Sequence, residues 1–255
     1  MNTIHLLISI SAAAHLAAGG VFAADRPKAG RAVFFLAFSA AAAAWIARGA
    51  AAGYAPFQNL TDVFIGLSAA AYPLSAAGRR RLRTPLEALD PLLGAAAAAA
   101  AAFMFTPDPP PLPPALQSPL FVPHVLSYIS AYALLTKAAA ISAAQLLRGR
   151  DRAVLDRSAH QMVLIAFPLL TAGLVIGAWW GKSAWGDYWN WDPKELWSLA
   201  TWLIYCAYLH TRIVSGGRAH GVYSALRLAG WAAAIITLTW VNLEPRFTGL
   251  HSYAR

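Results

Sequence analysis

The feature that most constrains this chain is a series of apolar runs, each about as long as a bilayer is thick. A helix needs ~20 mostly apolar residues to cross the hydrocarbon core. Eight segments qualify, at approximately 2–23, 31–48, 60–77, 88–106, 124–147, 160–181, 193–213 and 223–243. Of the 255 residues, 58% are hydrophobic and only 12% are charged. Soluble domains carry about 25% charged residues, so a soluble globule of this size would lack the charges to wet its surface. A disordered chain would not be so apolar. The expected fold class is all-α: a polytopic membrane helix bundle of about eight transmembrane helices, forming a single integral-membrane domain over 1–255. The unbroken alanine run Ala95 to Ala102 is only weakly apolar, so the fourth span is expected to pack inside a bundle. The single cysteine, Cys206, leaves no disulfide framework, CxxC pair or thiolate zinc site.

The net charge of +9 reads as a topology signal, with no nucleic-acid partner implied. Arg26, Lys28, Arg31, Arg79, Arg80, Arg81, Arg83, Arg148, Arg150, Arg152, Arg157, Arg212, Arg218 and Arg227 all fall at one face of the layout. Arg48, Lys182, Lys194, Arg246 and Arg255 fall at the other, and Lys137 lies inside span five. Basic residues stay cytoplasmic. Both termini and the segments near 49–59, 107–123 and 182–192 are therefore expected outside. Residues 1–24 read as an uncleaved span, because a signal peptide wants a basic n-region and none precedes the apolar run. The segment PDPPPLPP at 107–114 reads as a stiff, extended spacer.

Seven of the ten tryptophans lie within 179–202: Trp179, Trp180, Trp185, Trp189, Trp191, Trp197 and Trp202. An interfacial aromatic belt would spread over many helix ends, whereas these rings crowd an outer loop at 179–197 and the helix start that follows. Indole faces suit a flat π ligand, and Gly181 and Gly186 permit close backbone approach. In Asp192-Pro193-Lys194-Glu195, Asp fits N-cap, Pro N1 and Glu N3 of span seven. That cap accounts for Asp192 and Glu195 by structure alone, yet it also leaves them able to aim the helix end at a ligand.

Among the histidines, His124 at the start of span five and His251 after span eight share the outer face with the tryptophans. Imidazoles are standard axial ligands of haem iron, and two can bind one iron from opposite sides. His210 lies ~26 Å down span seven at 1.5 Å per residue, as either an interfacial residue beside Arg212 or a ligand of an inner-side site. His15, in the inner half of span one, is ambiguous. His5, His160 and His220 are expected to be solvated. Lys137 and Asp62 are embedded or nearly so, and a propionate, a partner or each other are all open as their contacts.

The run Trp185-Gly186-Asp187-Tyr188-Trp189-Asn190-Trp191-Asp192-Pro193-Lys194-Glu195 resembles the tryptophan-rich (WWD-domain) signature of the haem-handling proteins of cytochrome c maturation. The WDPKE-x-W continuation resembles the CcsA (ResC) branch. The resemblance extends to the eight-span layout, PFQNL at 56–60, PHVLSYISAYALL around His124, YLHTR around His210 and the closing HSYAR at His251.

This resemblance implies a bacterial cytoplasmic (inner) membrane protein that exports haem b and presents it on the periplasmic side. It further implies a subunit of a two-subunit cytochrome c synthase, a thioether-forming haem lyase. His124 and His251 match the outer axial ligands and His210 an inner-side ligand. Trp185, Gly186, Tyr188, Trp189, Trp191, Asp192 and Pro193 match the haem-contacting signature. The implied partners are a CcsB/ResB-like membrane subunit that completes the inner site, an apocytochrome c CxxCH segment and a thiol-reducing partner. His15 is a weaker in-chain candidate for the second inner ligand. A CcmC-like protein loading a periplasmic haem chaperone, and a small-solute transporter, are the alternatives. Against the transporter, no internal repeat is evident and the marked residues cluster at one face rather than the midplane. No general acid or base is identified.

Overall fold

The computed structural model describes residues 2–82, 87–107, 111–148, 152–243 and 250–251, all helical or irregular, with no strand among them. The expectations for Arg83, Arg150, Arg246, Arg255, residues 108–110 of the proline segment and the last four residues of HSYAR lie outside the described residues. Six of the helices are long and apolar enough to cross a membrane, which makes this a multi-pass helical membrane protein. The chain divides into two compact units, 1–112 and 113–255.

The first unit contains α1 (Thr3–Ala23), α2 (Pro27–Ala52), α3 (Leu60–Ala77) and α4 (Leu89–Phe103), with a π-helical turn at Gly78–Leu82. Helix α1 packs on α2 and α4, and α3 packs on α2 and α4. Small residues let the backbones approach, as they do between membrane helices generally. Ala37, Ala41 and Ala44 make the buried stripe of α2, and Gly94, Ala95, Ala98 and Ala101 that of α4. The alanine-rich helix thus buries one face, while Phe103 at its end is 90% exposed.

One end of this unit is tied by charge. Arg48 and Asp62 are both fully buried, with Nε of Arg48 donating to Oδ1 of Asp62 at 2.9 Å. The guanidinium also donates to the carbonyls of Thr106 and Pro107 and to Oγ1 of Thr106. Asp62 accepts in addition from the backbone N–H of Gln58 at 3.2 Å, and Asn59 N-caps α3 through the N–H of Asp62. The PFQNL segment is therefore the entry to α3, and the contact that the sequence left open for Asp62 is Arg48.

The second unit contains a 3-10 turn (Pro114–Leu116), α5 (Phe121–Arg148), α6 (Arg152–Trp185), α7 (Pro193–Val214) and α8 (His220–Ile235). Helix α8 runs on through a π-helical turn at Ile236–Trp240 into Val241–Leu243. Helix α5 lies along α6 and also packs on α8, which in turn packs on α7. Helix α6 begins eight residues before the expected limit of 160, which sets His160 two turns inside it. His160 is half-buried, and its Nδ1 lies 3.0 Å from the Tyr208 hydroxyl, so it is not simply solvated. At the same end of the unit, Asp156 sits between two arginines: Arg227 donates to Oδ1 at 2.9 Å and Arg212 to Oδ2 at 2.7 Å. Arg227 is 0% exposed and also donates to Gln145 and Ser224. Two arginines that the sequence reads as topology signals at one face thus pin α5, α6, α7 and α8 together.

Candidate functional site

The opposite end of the second unit gathers the start of α5, the end of α6, the start of α7 and the turn at His251. Helix α6 ends at Trp185, where Gly186 takes φ +92°, a conformation that costs glycine little. Residues 179–185 of the expected loop thus complete α6, 193–197 open α7, and 186–192 form the irregular link. Lys182 closes the helix by donating from Nζ to the Gly186 carbonyl at 2.5 Å, and its ammonium stands 5.5 Å above the Tyr188 ring.

The start of α7 follows the cap that the sequence predicts. Asp192 Oδ1 accepts from the N–H of Lys194 at 2.8 Å, and Pro193 occupies the first helical position. Glu195 Oε2 accepts from the N–H groups of both Asn190 (2.8 Å) and Asp192 (3.1 Å). These two bonds straddle Trp191 and hold it at φ +57°, a strained conformation for a bulky residue. The strain turns the indole outward: Trp191 is 68% exposed and Tyr188 55%. Trp189 stands edge-on to Trp191 with centroids 6.0 Å apart.

The cap residues also hold His251. Its Nδ1 lies 3.1 Å from Oδ1 of Asp192, an ion-pair distance without hydrogen-bond alignment, and Lys194 Nζ donates to its carbonyl at 2.9 Å. Burial alone raises the Asp192 pKa, but the His251 ring and the backbone N–H groups of Lys194 and Leu250 outweigh it and hold the carboxyl below its usual range. The structural reading of this cap is satisfied by these atoms.

His124 is held differently. Its Nδ1 donates to the Gly173 carbonyl at 2.8 Å. A ring that gives Nδ1–H to a carbonyl leaves Nε2 with its lone pair, the arrangement usual in metal-binding histidines. Trp180 links the two imidazoles. Its centroid is 5.4 Å from that of His124 and 5.4 Å from that of His251, so at most twice that distance separates the rings. Trp185 packs on Trp180 at 4.8 Å and on His251 at 4.5 Å. Trp180 is 2% exposed, and its Nε1 donates to the Ala115 carbonyl at 2.8 Å.

The sequence signal singled out Trp185, Trp189 and Trp191. Trp185 is at the centre, Trp189 and Trp191 form an outer ledge, and Trp180, named in the cluster but not singled out, touches both imidazoles. Its position seven residues after Gly173 on α6, on the same helical face, was the available clue.

His210 lies on the exposed face of α7, seventeen residues beyond Pro193. His15 is fully buried in the first unit: Nδ1 bonds the Ser11 carbonyl at 2.9 Å, and Nε2 is unpartnered. A Cβ at Gly94 would stand 2.4 Å from that Nε2. Its imidazole is therefore wedged into the α4 backbone, with no opening for a ligand. Lys137 is buried in α5.

Comparison with known proteins identifies the family. The chain is 43% identical over 121 residues to "Cytochrome c biogenesis protein CcsA" of Gloeobacter violaceus, covering 47% of this chain and 34% of that protein. It is 45% identical over 102 residues to the CcsA protein of Trichodesmium erythraeum (39% and 28%), and 46% over 101 residues to that of Synechocystis sp. (39% and 29%). The matched stretches span about a third of those relatives' lengths. The fold superposes on the solved structure of "Cytochrome c Heme Lyase CcmF" with a TM-score of 0.71 and 21% identity, over 100% of this chain and 47% of that one. The model of the family described as "Cytochrome C assembly protein" matches residues 31–245. That match covers most of the chain and contains His124, Trp180 and the capped Asp192, so the chain belongs to the cytochrome c assembly protein family.

Proposed function

We propose that this chain binds haem b on the non-cytoplasmic side of a bacterial inner membrane, with His124 and His251 as axial ligands. It then presents that haem to an apocytochrome c CxxCH segment, as the CcsA-like subunit of a two-subunit cytochrome c synthase. The observation that carries this reading is the pair of imidazoles meeting at Trp180, with His124 oriented through its Nδ1 and His251 set beside the Asp192 carboxylate. Among the described residues, no three metal-binding side chains converge. Two imidazoles suffice when the ligand brings its own equatorial nitrogens, as a porphyrin does. A flat macrocycle between the rings requires Trp180 or the His251 turn to shift. The residues of 185–192 then supply the aromatic ledge, and the curated relatives, named for cytochrome c biogenesis, support the assignment.

In this reading the chain's work is positioning, which is worth many orders of magnitude when geometry is right. Histidine of the arriving CxxCH segment replaces one axial imidazole. Each cysteine thiol then adds across one vinyl group: the sulfur bonds one vinyl carbon, the thiol hydrogen goes to its neighbour, and nothing is oxidised or reduced. A thiol-reducing partner keeps those cysteines free. Cys206 is the chain's single cysteine and lies within α7, so the pair of thiols comes from the substrate.

His210 serves an inner-side haem site completed by a CcsB/ResB-like subunit, since its exposure on α7 leaves it open to a partner. His210→Ala is expected to lower holocytochrome c yield several-fold while leaving the helix topology unchanged, read by yield and by reporter fusions. Unchanged yield would remove His210 from the pathway. Asp192 provides a finer test of the outer site. Asparagine caps helices about as well as aspartate, so Asp192→Asn is expected to keep stability within about 0.5 kcal/mol. It removes the carboxylate beside His251, which lowers the ligand's basicity and raises the midpoint potential of the bound haem. A redox titration that gives the wild-type potential would contradict the proposed role of the carboxylate.

A further inference from the structure

Helix α6 carries the sequence Gly173-Leu174-Val175-Ile176-Gly177, and neither glycine is needed for a turn. Both lie on the face that meets α5. A Cβ on Gly177 would stand 2.6 Å from Cε1, 2.7 Å from Nδ1 and 3.7 Å from Nε2 of His124, and these are its three nearest atoms. A Cβ on Gly173 would stand 2.8 Å and 2.9 Å from Cδ2 and Cε2 of Tyr128. Two rings one turn apart on α5 thus enter a groove made by two glycines one turn apart on α6. Small residues at this spacing let membrane helices touch backbone to backbone. Here the close approach has a second result, because it brings the Gly173 carbonyl within 2.8 Å of His124 Nδ1.

The imidazole has little room to give. Tyr128 stands edge-on to it at 5.1 Å and Trp180 lies at 5.4 Å. A methyl at Gly177 must therefore push the ring off the Gly173 carbonyl, along with the proton position that this bond sets.

We propose that Gly173 and Gly177 are positioning residues for His124: the pair seats the imidazole, fixes its tautomer and so presents Nε2 as the axial ligand. The proposal rests on the outer haem site described above. Loss of a group that orients a metal ligand typically costs 10- to 100-fold in affinity. Gly177→Ala is accordingly expected to lower haem affinity by about that factor and to change the haem spectrum toward that of His124→Ala.

The decisive comparison uses the full chain purified with its membrane partner and added imidazole. Free imidazole should restore the low-spin spectrum to His124→Ala by occupying the vacated seat. In His124→Ala/Gly177→Ala the added methyl intrudes on the same seat, so rescue should need at least about tenfold more imidazole. The double variant no longer has the clashing ring, so its folding does not depend on the outcome for Gly177→Ala alone. Equal rescue in the two backgrounds would overturn the role of the glycines while leaving the haem site intact. A wild-type complex without haem, or a His124→Ala variant with the wild-type spectrum, would overturn the haem site and this proposal with it.

Discussion

His124→Ala and His251→Ala should each cut holocytochrome c yield at least about tenfold, and both should lose the outer site's contribution to the low-spin haem spectrum of the purified complex. In the proposed site each substitution removes one of two axial donors, and neighbouring groups are engaged otherwise: Lys194 donates to the His251 carbonyl, Asp192 caps α7, and Trp180 has only a donor N–H. Because the defect is a vacant coordination position, added imidazole should restore part of both the spectrum and the yield. Variants with normal spectra would exclude these residues as ligands. Variants with lost haem that imidazole leaves unchanged would point to a collapsed site instead. The two should also differ in degree. His124 is locked between two helices, whereas His251 sits on a turn held by Asp192 and Lys194.

The second large effect is on folding. Asp156→Ala strands Arg227, which is fully buried, without its counter-charge. Breaking a buried pair from one side costs about 3–5 kcal/mol, because the remaining charge cannot reach water. The apparent Tm in detergent should therefore drop on the order of 10 °C. Replacing both members, as Asp156→Leu with Arg227→Met, should cost much less, since no buried charge remains and Arg212 is close enough to the surface to be solvated. A full-sized loss in the double variant, or none in Asp156→Ala, would show that the cluster does not hold the four helices of this unit together.

Much of this architecture was legible in the sequence because it depends on local signals. Helix α3 spans residues 60–77 as read from apolar length, and the Asp-Pro-x-Glu pattern gives the start of α7 atom by atom. The site was legible through the rarity of so many indoles near two histidines on one face. What was hidden depends on partners far apart in the chain. Asp156 and Arg227 are 71 positions apart, and arginines near helix ends look like topology signals until a carboxylate is found opposite them. His160 looked solvated because the polar start of α6 falls below the apolar threshold, although the helix begins at Arg152. Trp180 was one indole among seven, and only the packing of α6 on α5 distinguishes it. Helix Gly173–Gly177 spacing was visible, but its ring-sized consequence needs the facing helix.

The central claim is that His124 and His251 together ligate one haem iron. It is tested most directly by near-infrared magnetic circular dichroism and low-temperature EPR of the purified ferric complex, comparing wild type with each single alanine variant, with the inner site removed by His210→Ala. A bis-imidazole signature in the His210→Ala background, lost in both the His124→Ala and His251→Ala combinations, is the predicted result. Its persistence in either combination, or its absence from the His210→Ala complex while haem is still bound, would contradict the account.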